Sequence, residues 1–191
     1  MARRYDPERS RRIIDAAVAV VRERGIAGLS HRAVAAAADV PLGSTTYHFA
    51  TLDDLLVAAL RKVNEEWLAD VERWAERYDP AVGPAGQLAR WVEELFAGDR
   101  ERLVLEYDLC LSALRHEAVR PVAAEWVDGM VRVLSRLVPD PAAARAVVAL
   151  IDGMALQALL TGRPYDREGT RAALARIMGE DGDGGPSGTA R

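Results

Sequence analysis

"VPLGSTTYHF", residues 40–49, is the stretch that decides how the chain folds. It holds a proline, a glycine, three hydroxyl residues in a row, then an aromatic and a histidine, and it has no lysine or arginine. Pro41 fits a break between helices, and the residues after it read as a short helix from Leu42 to His48. Upstream, Ser30 is an N-cap candidate for another short helix through Val34, Ala37 and Ala38. Its alanines are small enough for two helices to cross closely. Further back, Ile13, Ala16, Ala17, Val20 and Val21 recur at helical spacing, and Gly25 ends that run. Asp6-Pro7 reads as its cap and first helical residue. A longer helix followed by two short ones across a tight break is a helix-turn-helix arrangement. Gly43, Ser44, Thr45 and Thr46 place small donors and acceptors where base edges and phosphates can be approached.

Charge divides the chain in the same way. The net charge is −4, which by itself argues against a partner made of phosphate. Residues 1–50, however, hold eight arginines against five acidic residues, while the remainder holds 17 basic against 24 acidic. A basic head on an acidic body points to two tasks.

After the head, helical periodicity continues almost without interruption. Thr51 caps a long helix and Asp54 answers it three residues on, a capping box with Asp in place of Glu. Leu55, Leu56, Ala59, Leu60, Val63, Trp67, Val71 and Trp74 mark its apolar face. "DPAVGPAG", residues 79–86, is a linker by composition. Helices are expected over about 87–96, 100–116, 121–139, 141–161 and 166–178. The fold class is all-α, about nine helices. The head spans 1–50 and a helical body 51–180, joined by the helix 51–78, with a Gly-rich acidic tail, 181–191, expected to be disordered.

Several functions are excluded. One cysteine, Cys110, cannot build a disulfide framework or a cysteine zinc site. The three histidines, His31, His48 and His116, have no metal or triad spacing, and Gly-rich phosphate loops are absent. No enzyme activity, metal or cofactor is expected. The N-terminus has no signal-peptide core and no apolar run approaches the roughly twenty residues of a membrane span, so a cytoplasmic location is expected.

The residues 13–60, "IIDAAVAVVRERGIAGLSHRAVAAAADVPLGSTTYHFATLDDLLVAAL", resemble the DNA-binding domain of the TetR (tetracycline-repressor) family of bacterial transcription regulators. Val40, Gly43, Ser44, His48, Phe49, Leu52 and Leu55 fall at matching positions. Two departures stand out. Thr46 occupies a position where many members carry an aromatic, and Leu42 one where relatives often carry lysine or another polar residue. The resemblance implies a homodimer on a pseudo-palindromic double-stranded DNA operator, with one recognition helix per subunit in the major groove. It also implies a C-terminal domain for dimerisation and a small-molecule effector.

Expected DNA contacts are Arg32, Leu42, Gly43, Ser44, Thr45, Thr46, Tyr47 and His48, with Arg3 and Arg4 on a basic arm. Phe49 is assigned to the core and Lys62 to solvent. Residues able to line an effector cavity are Trp67, Trp74, Trp91, Phe96, Tyr107, Trp126, Met130 and Met154, with Glu106, Asp108, Cys110, His116 and Gln157 as polar groups. Asp108 is embedded in apolar sequence, where a carboxylate would need a partner or a proton. Residues 142–160 are apolar on several faces, more than one stripe requires, and with the last helix they form the natural dimer surface. The leading function is a repressor released from its operator by a ligand. The rivals are a helical DNA-binding or interaction protein without small-molecule control, and an activator.

Overall fold

A computed structural model describes residues 7–79 and 81–180. Asp6, the arm arginines Arg3 and Arg4, Pro80 and the tail 181–191 lie outside the described residues. Nine α-helices follow one another in the described chain: α1 Pro7–Arg24, α2 His31–Ala37, α3 Leu42–His48, α4 Leu52–Ala75, α5 Pro84–Ala97, α6 Arg100–Leu111, α7 Arg120–Leu134, α8 Pro141–Thr161 and α9 Arg167–Met178. The chain forms two compact units. One contains residues up to Asp70 together with 101–128; the other contains 71–100 and the residues from Gly129 onward. The first thus groups α6 and most of α7 with the head, whereas the sequence draws its line at residue 50.

In the first unit α1, α2 and α3 pack on one another. Ile13, Ala17, Val20, Val21, Leu29 and Val34 form their core. Each fully buried valine, leucine or isoleucine stabilises by roughly 1.5–3 kcal/mol relative to exposure. The turns are made by local chemistry. Gly25 stops α1 with a left-handed φ of 66°, and its N–H donates to the Val21 carbonyl at 2.8 Å. Ser30 Oγ accepts from the Ala33 N–H at 3.1 Å and starts α2. Between α2 and α3 the chain turns at Asp39, the single described non-glycine residue with positive φ, 51°. Aspartate tolerates this conformation better than most side chains. The Val40 N–H then reaches back to the Ala35 carbonyl at 3.0 Å and fixes the break.

The start of α4 carries the expected reciprocal cap. The Thr51 N–H donates to Asp54 Oδ2 at 2.8 Å and the Asp54 N–H to Thr51 Oγ1 at 3.1 Å. Leu55, Leu56, Ala59, Leu60, Val63, Trp67 and Val71 are buried, so the stripe read from the sequence is the inner face of this helix.

Four elements differ from the sequence reading. The last residues of the expected 79–86 linker belong to α5, which begins at Pro84 because proline at the first helical position costs no hydrogen bond. The helix expected over 100–116 ends at Leu111; Ser112 turns its hydroxyl onto the Leu109 carbonyl at 2.6 Å and two short 3₁₀ turns follow. α7 ends at Leu134 rather than near 139. Finally, α8 is long and apolar enough to cross a membrane by length and composition, against the expectation that no such run exists.

In the second unit α9 packs on α5 and α8. Ala144, Val147, Val148, Ile151 and Ala155 form the single buried stripe of α8, while Leu150, Met154, Leu156 and Leu159 are half-buried and Leu160 is 77% exposed. Asp140 caps α8 through the Ala142 and Ala143 N–H groups, and Asp166 caps α9 through Gly169.

The α4 cap yields a test. The N–H and hydroxyl of Thr51 hold the Asp54 carboxyl below its ordinary value. A lowered folded-state value means stabilisation that is complete above about pH 4 and fades as pH falls through the lowered value. Thr51→Ala is expected to cost about 1 kcal/mol in urea unfolding at pH 7. The loss should shrink at pH 3, where the reciprocal bond to Asp54 is weakened in both proteins.

Candidate DNA interface and effector cavity

The seven residues of α3 make two turns, so its faces separate cleanly. Leu42, Gly43, Thr46 and Tyr47 point outward; Leu42 is 46% and Tyr47 51% exposed. Ser44 and Thr45 point inward and are 2% and 0% exposed. Thr45 Oγ1 donates to the Leu42 carbonyl at 2.7 Å, and Ser44 Oγ is buried without a hydrogen-bond partner. The expected contacts of Ser44 and Thr45 with DNA are therefore corrected: both hydroxyls belong to the inside of the helix hairpin. Three consecutive hydroxyls look like one chemistry in the sequence, and the helical period divides them.

His48 and Phe49 are half-buried, with the His48 ring in edge contact with Tyr47 at 5.2 Å between centroids. Arg32 is exposed at the start of α2. The outward face thus joins an aliphatic group, a bare glycine, a hydroxyl and a phenol, with arginine charge on the neighbouring helix. Lys62 is not merely solvated. Its ammonium lies 3.1 Å from Asp15 on α1 and 2.7 Å from Glu66, and the Glu66 carboxylate holds its pKa above the ordinary lysine value.

The expected cavity residues divide between the two units. Trp67, Glu106, Tyr107, Asp108, Cys110, His116 and Trp126 belong to the first, and Trp74, Trp91, Phe96, Met130, Met154 and Gln157 to the second. In the first unit a cavity of about 130 Å³ is lined by Arg61, Asn64, Glu65, Leu68, Val122, Glu125 and Trp126. Asn64 donates to the Val122 carbonyl at 3.4 Å, while its Oδ1 is buried without a partner. One helical turn on, Trp67 Nε1 is also buried and unpartnered, and its ring lies under the Arg102 guanidinium, 4.4 Å from centroid to carbon. Buried polar atoms without partners are uncommon and call for an explanation.

On α6 the buried carboxylate is Glu106, not Asp108. Asp108 is exposed because Leu105, Glu106 and Leu109 take the inner positions. Tyr107 and Cys110 are half-buried. A second observation that sequence reading misses is His116 Nδ1 at 2.8 Å from Asp53 Oδ1, which ties the elbow after α6 to the first turn of α4. No local signal announces a pair 63 residues apart.

In the second unit the aromatics pack on each other. Trp74 stacks on Trp91 at 5.1 Å and Phe96 on Tyr165 at 5.2 Å, with the Tyr165 hydroxyl donating to the Ala89 carbonyl at 2.9 Å. Met154 and Gln157 line a shallow cleft of about 180 Å³ with Arg163 and Tyr165. Burial raises the Tyr165 pKa.

A basic three-helix head that presents its third helix across a tight turn defines a helix-turn-helix DNA-binding protein. Comparison with known proteins narrows the class. Residues 13–59 match the family described as "Bacterial regulatory proteins, tetR family", and residues 83–180 match "Tetracyclin repressor-like, C-terminal domain". The transcriptional regulator BetI of Burkholderia ambifaria is 30% identical, over 87% of this chain and 88% of the relative. The multidrug binding protein EbrR, solved with ethidium, is 57% identical over 91% of this chain and 99% of that chain, with a TM-score of 0.83. A TetR-family member from Streptomyces coelicolor A3 is 56% identical over 90% and 98%, with a TM-score of 0.74. The chain belongs to the TetR family of bacterial transcription regulators. It is a DNA-binding regulator of a family whose members are not enzymes.

The division of α3 predicts opposite roles for neighbouring hydroxyls. Ser44→Ala removes a buried, unpartnered group and is expected to leave stability unchanged or raise it by up to about 1 kcal/mol. Thr46→Ala, on the outer face, should change stability by less than about 0.5 kcal/mol. Urea unfolding of the two variants checks both. A loss above about 1 kcal/mol for Ser44→Ala contradicts the absence of a hydrogen-bond partner for its hydroxyl.

Proposed function

We propose that the chain is a cytoplasmic repressor that binds a pseudo-palindromic operator as a homodimer and leaves it when an aromatic cation enters the first unit. Each subunit places the outer face of α3 in the major groove, with Leu42, Gly43, Thr46 and Tyr47 toward the bases. Arg32 and His48 serve the phosphates, and Arg3 and Arg4 extend that contact from the arm. Two recognition helices must stand about 34–36 Å apart to enter successive grooves. A ligand that favours another spacing lowers operator affinity by its difference in affinity for the two states.

The observation that carries the effector half is the cavity beside Asn64. It combines an orphan acceptor, the indole of Trp126 and two carboxylates: Glu125, which Arg61 of the same lining pairs at 3.2 Å, and Glu65. Carboxylates and an aromatic face suit a delocalised cation better than an anion. EbrR has been solved with ethidium, proflavin and malachite green, all of this chemical class. Drug-sized ligands need roughly 300–1,000 Å³, so the cavity has to widen on binding. Widening moves α7 against α4, and α4 follows α3 after three residues. Trp67, one turn along α4 from Asn64, is the next group such a ligand would reach.

The dimer rests on α8 and α9. One stripe of α8 is buried in its own unit, and the apolar side chains that remain, Leu160 among them, suit a second copy of the same helix. Gly153 permits close approach, since a Cβ there would meet nothing within 4 Å. Paired helices from two subunits would form a four-helix bundle with an apolar interface.

Two measurements test this reading. Sedimentation equilibrium should return a dimer, and Leu160→Glu should shift it toward monomer. Malachite green should quench tryptophan fluorescence saturably, and Trp126→Ala should weaken it at least about tenfold, a change of about 1.4 kcal/mol. Unchanged affinity in that variant removes the cavity from the account.

A further inference from the structure

The outward face of α3 has a composition that limits what it can read. Guanine is read most often by arginine or lysine on O6 and N7, adenine by asparagine or glutamine on N6 and N7, and cytosine by a carboxylate on N4. "LGSTTYH" contains none of these residues. The remaining distinctive base feature in the major groove is the C5-methyl of thymine, which apolar side chains contact. Leu42 is the aliphatic side chain on the outer face, 46% exposed at the first position of the helix.

Gly43 adds an independent observation. Glycine in the middle of a helix is less stable than alanine by roughly 0.5–1 kcal/mol, and Gly43, second in α3, bears part of that cost. Nothing within the described chain accounts for it: its φ is not left-handed, and a Cβ built there meets no atom within 4 Å. Packing therefore leaves room for a side chain that the residue does not have. Its use lies outside, where an absent side chain lets the helix backbone come close to a surface. A bare backbone beside an exposed leucine gives that leucine the reach to lie flat against a methyl group.

We propose that Leu42 is the specificity-determining residue of this regulator and reads a thymine methyl in each operator half-site, with Gly43 admitting the close approach. This rests on α3 being the DNA-facing helix. Thr46 and Tyr47 add hydroxyls that accept either polarity; the Thr46 methyl is the other outer-face group able to touch a thymine methyl, and loss of the uridine effect in Leu42→Ala separates the two.

The experiment begins with selection of bound sequences from a random DNA library by the full-length protein. In the recovered half-site each thymine is replaced in turn by deoxyuridine, which deletes only the methyl. At one position per half-site the replacement should weaken wild-type binding about fourfold, the effect expected for one buried methyl. Leu42→Ala should bind the thymine and uridine forms equally. Because Leu42 is exposed, that variant keeps its melting temperature, which is checked alongside. Gly43→Ala should fold at least as stably and bind more weakly. A recovered half-site at which no uridine effect disappears in Leu42→Ala overturns the assignment of Leu42 while leaving the DNA-binding role of α3 in place. Failure of the wild-type protein to select any motif would instead overturn the reading on which the assignment stands.

Discussion

A seven-residue helix has too few hydrogen bonds to hold its shape alone in water. α3 is such a helix, and its order is supplied from beneath. Ser44 and Thr45 are buried, α1 and α2 pack against α3, and Asp39 turns the chain so that α2 and α3 can cross. This constraint decides which side chains are left outside. With the inner face given to packing, Leu42, Gly43, Thr46 and Tyr47 are the residues α3 can present. The chemistry available to DNA is therefore a by-product of how the head packs.

Most of the architecture is legible in the sequence because its signals are local. Gly25, Ser30, Thr51 with Asp54, and Asp166 each act within a few residues, and each ends or begins a helix where it stands. The misread boundaries have physical causes of the same kind. Pro84 is a helix start that resembles a linker, and Ser112 ends α6 through a side chain that gives no sign of direction in the sequence. The site is less legible. Periodicity over two turns is too short to tell the inner hydroxyls of α3 from the outer one. On α6, the apolar neighbours of Asp108 suggest burial, whereas the helical phase gives that place to Glu106. Asn64 carries no signal at all. Its importance comes from a carbonyl on α7 that satisfies its amide nitrogen and from nothing that satisfies its oxygen.

The first unit contains the parts that a coupled regulator needs. The cavity lies against α4 and α7, the capping box fixes the N-terminus of α4, and His116 holds Asp53 in that same first turn. Two polar ties and a short connection thus stand between the cavity and α3. A rigid helix held at its reading end transmits a displacement that a frayed one would absorb. Coupling of this kind is a free energy shared by two sites, and its sign and size are the same whichever ligand is added first.

That reciprocity gives the most direct measurement. Operator affinity is measured with and without saturating malachite green, and malachite green affinity with and without saturating operator. The account predicts that both fall, and by the same factor, within the range of about 5- to 150-fold typical of coupled sites. Operator affinity that is unchanged by the dye, while the dye still binds the protein, would contradict it.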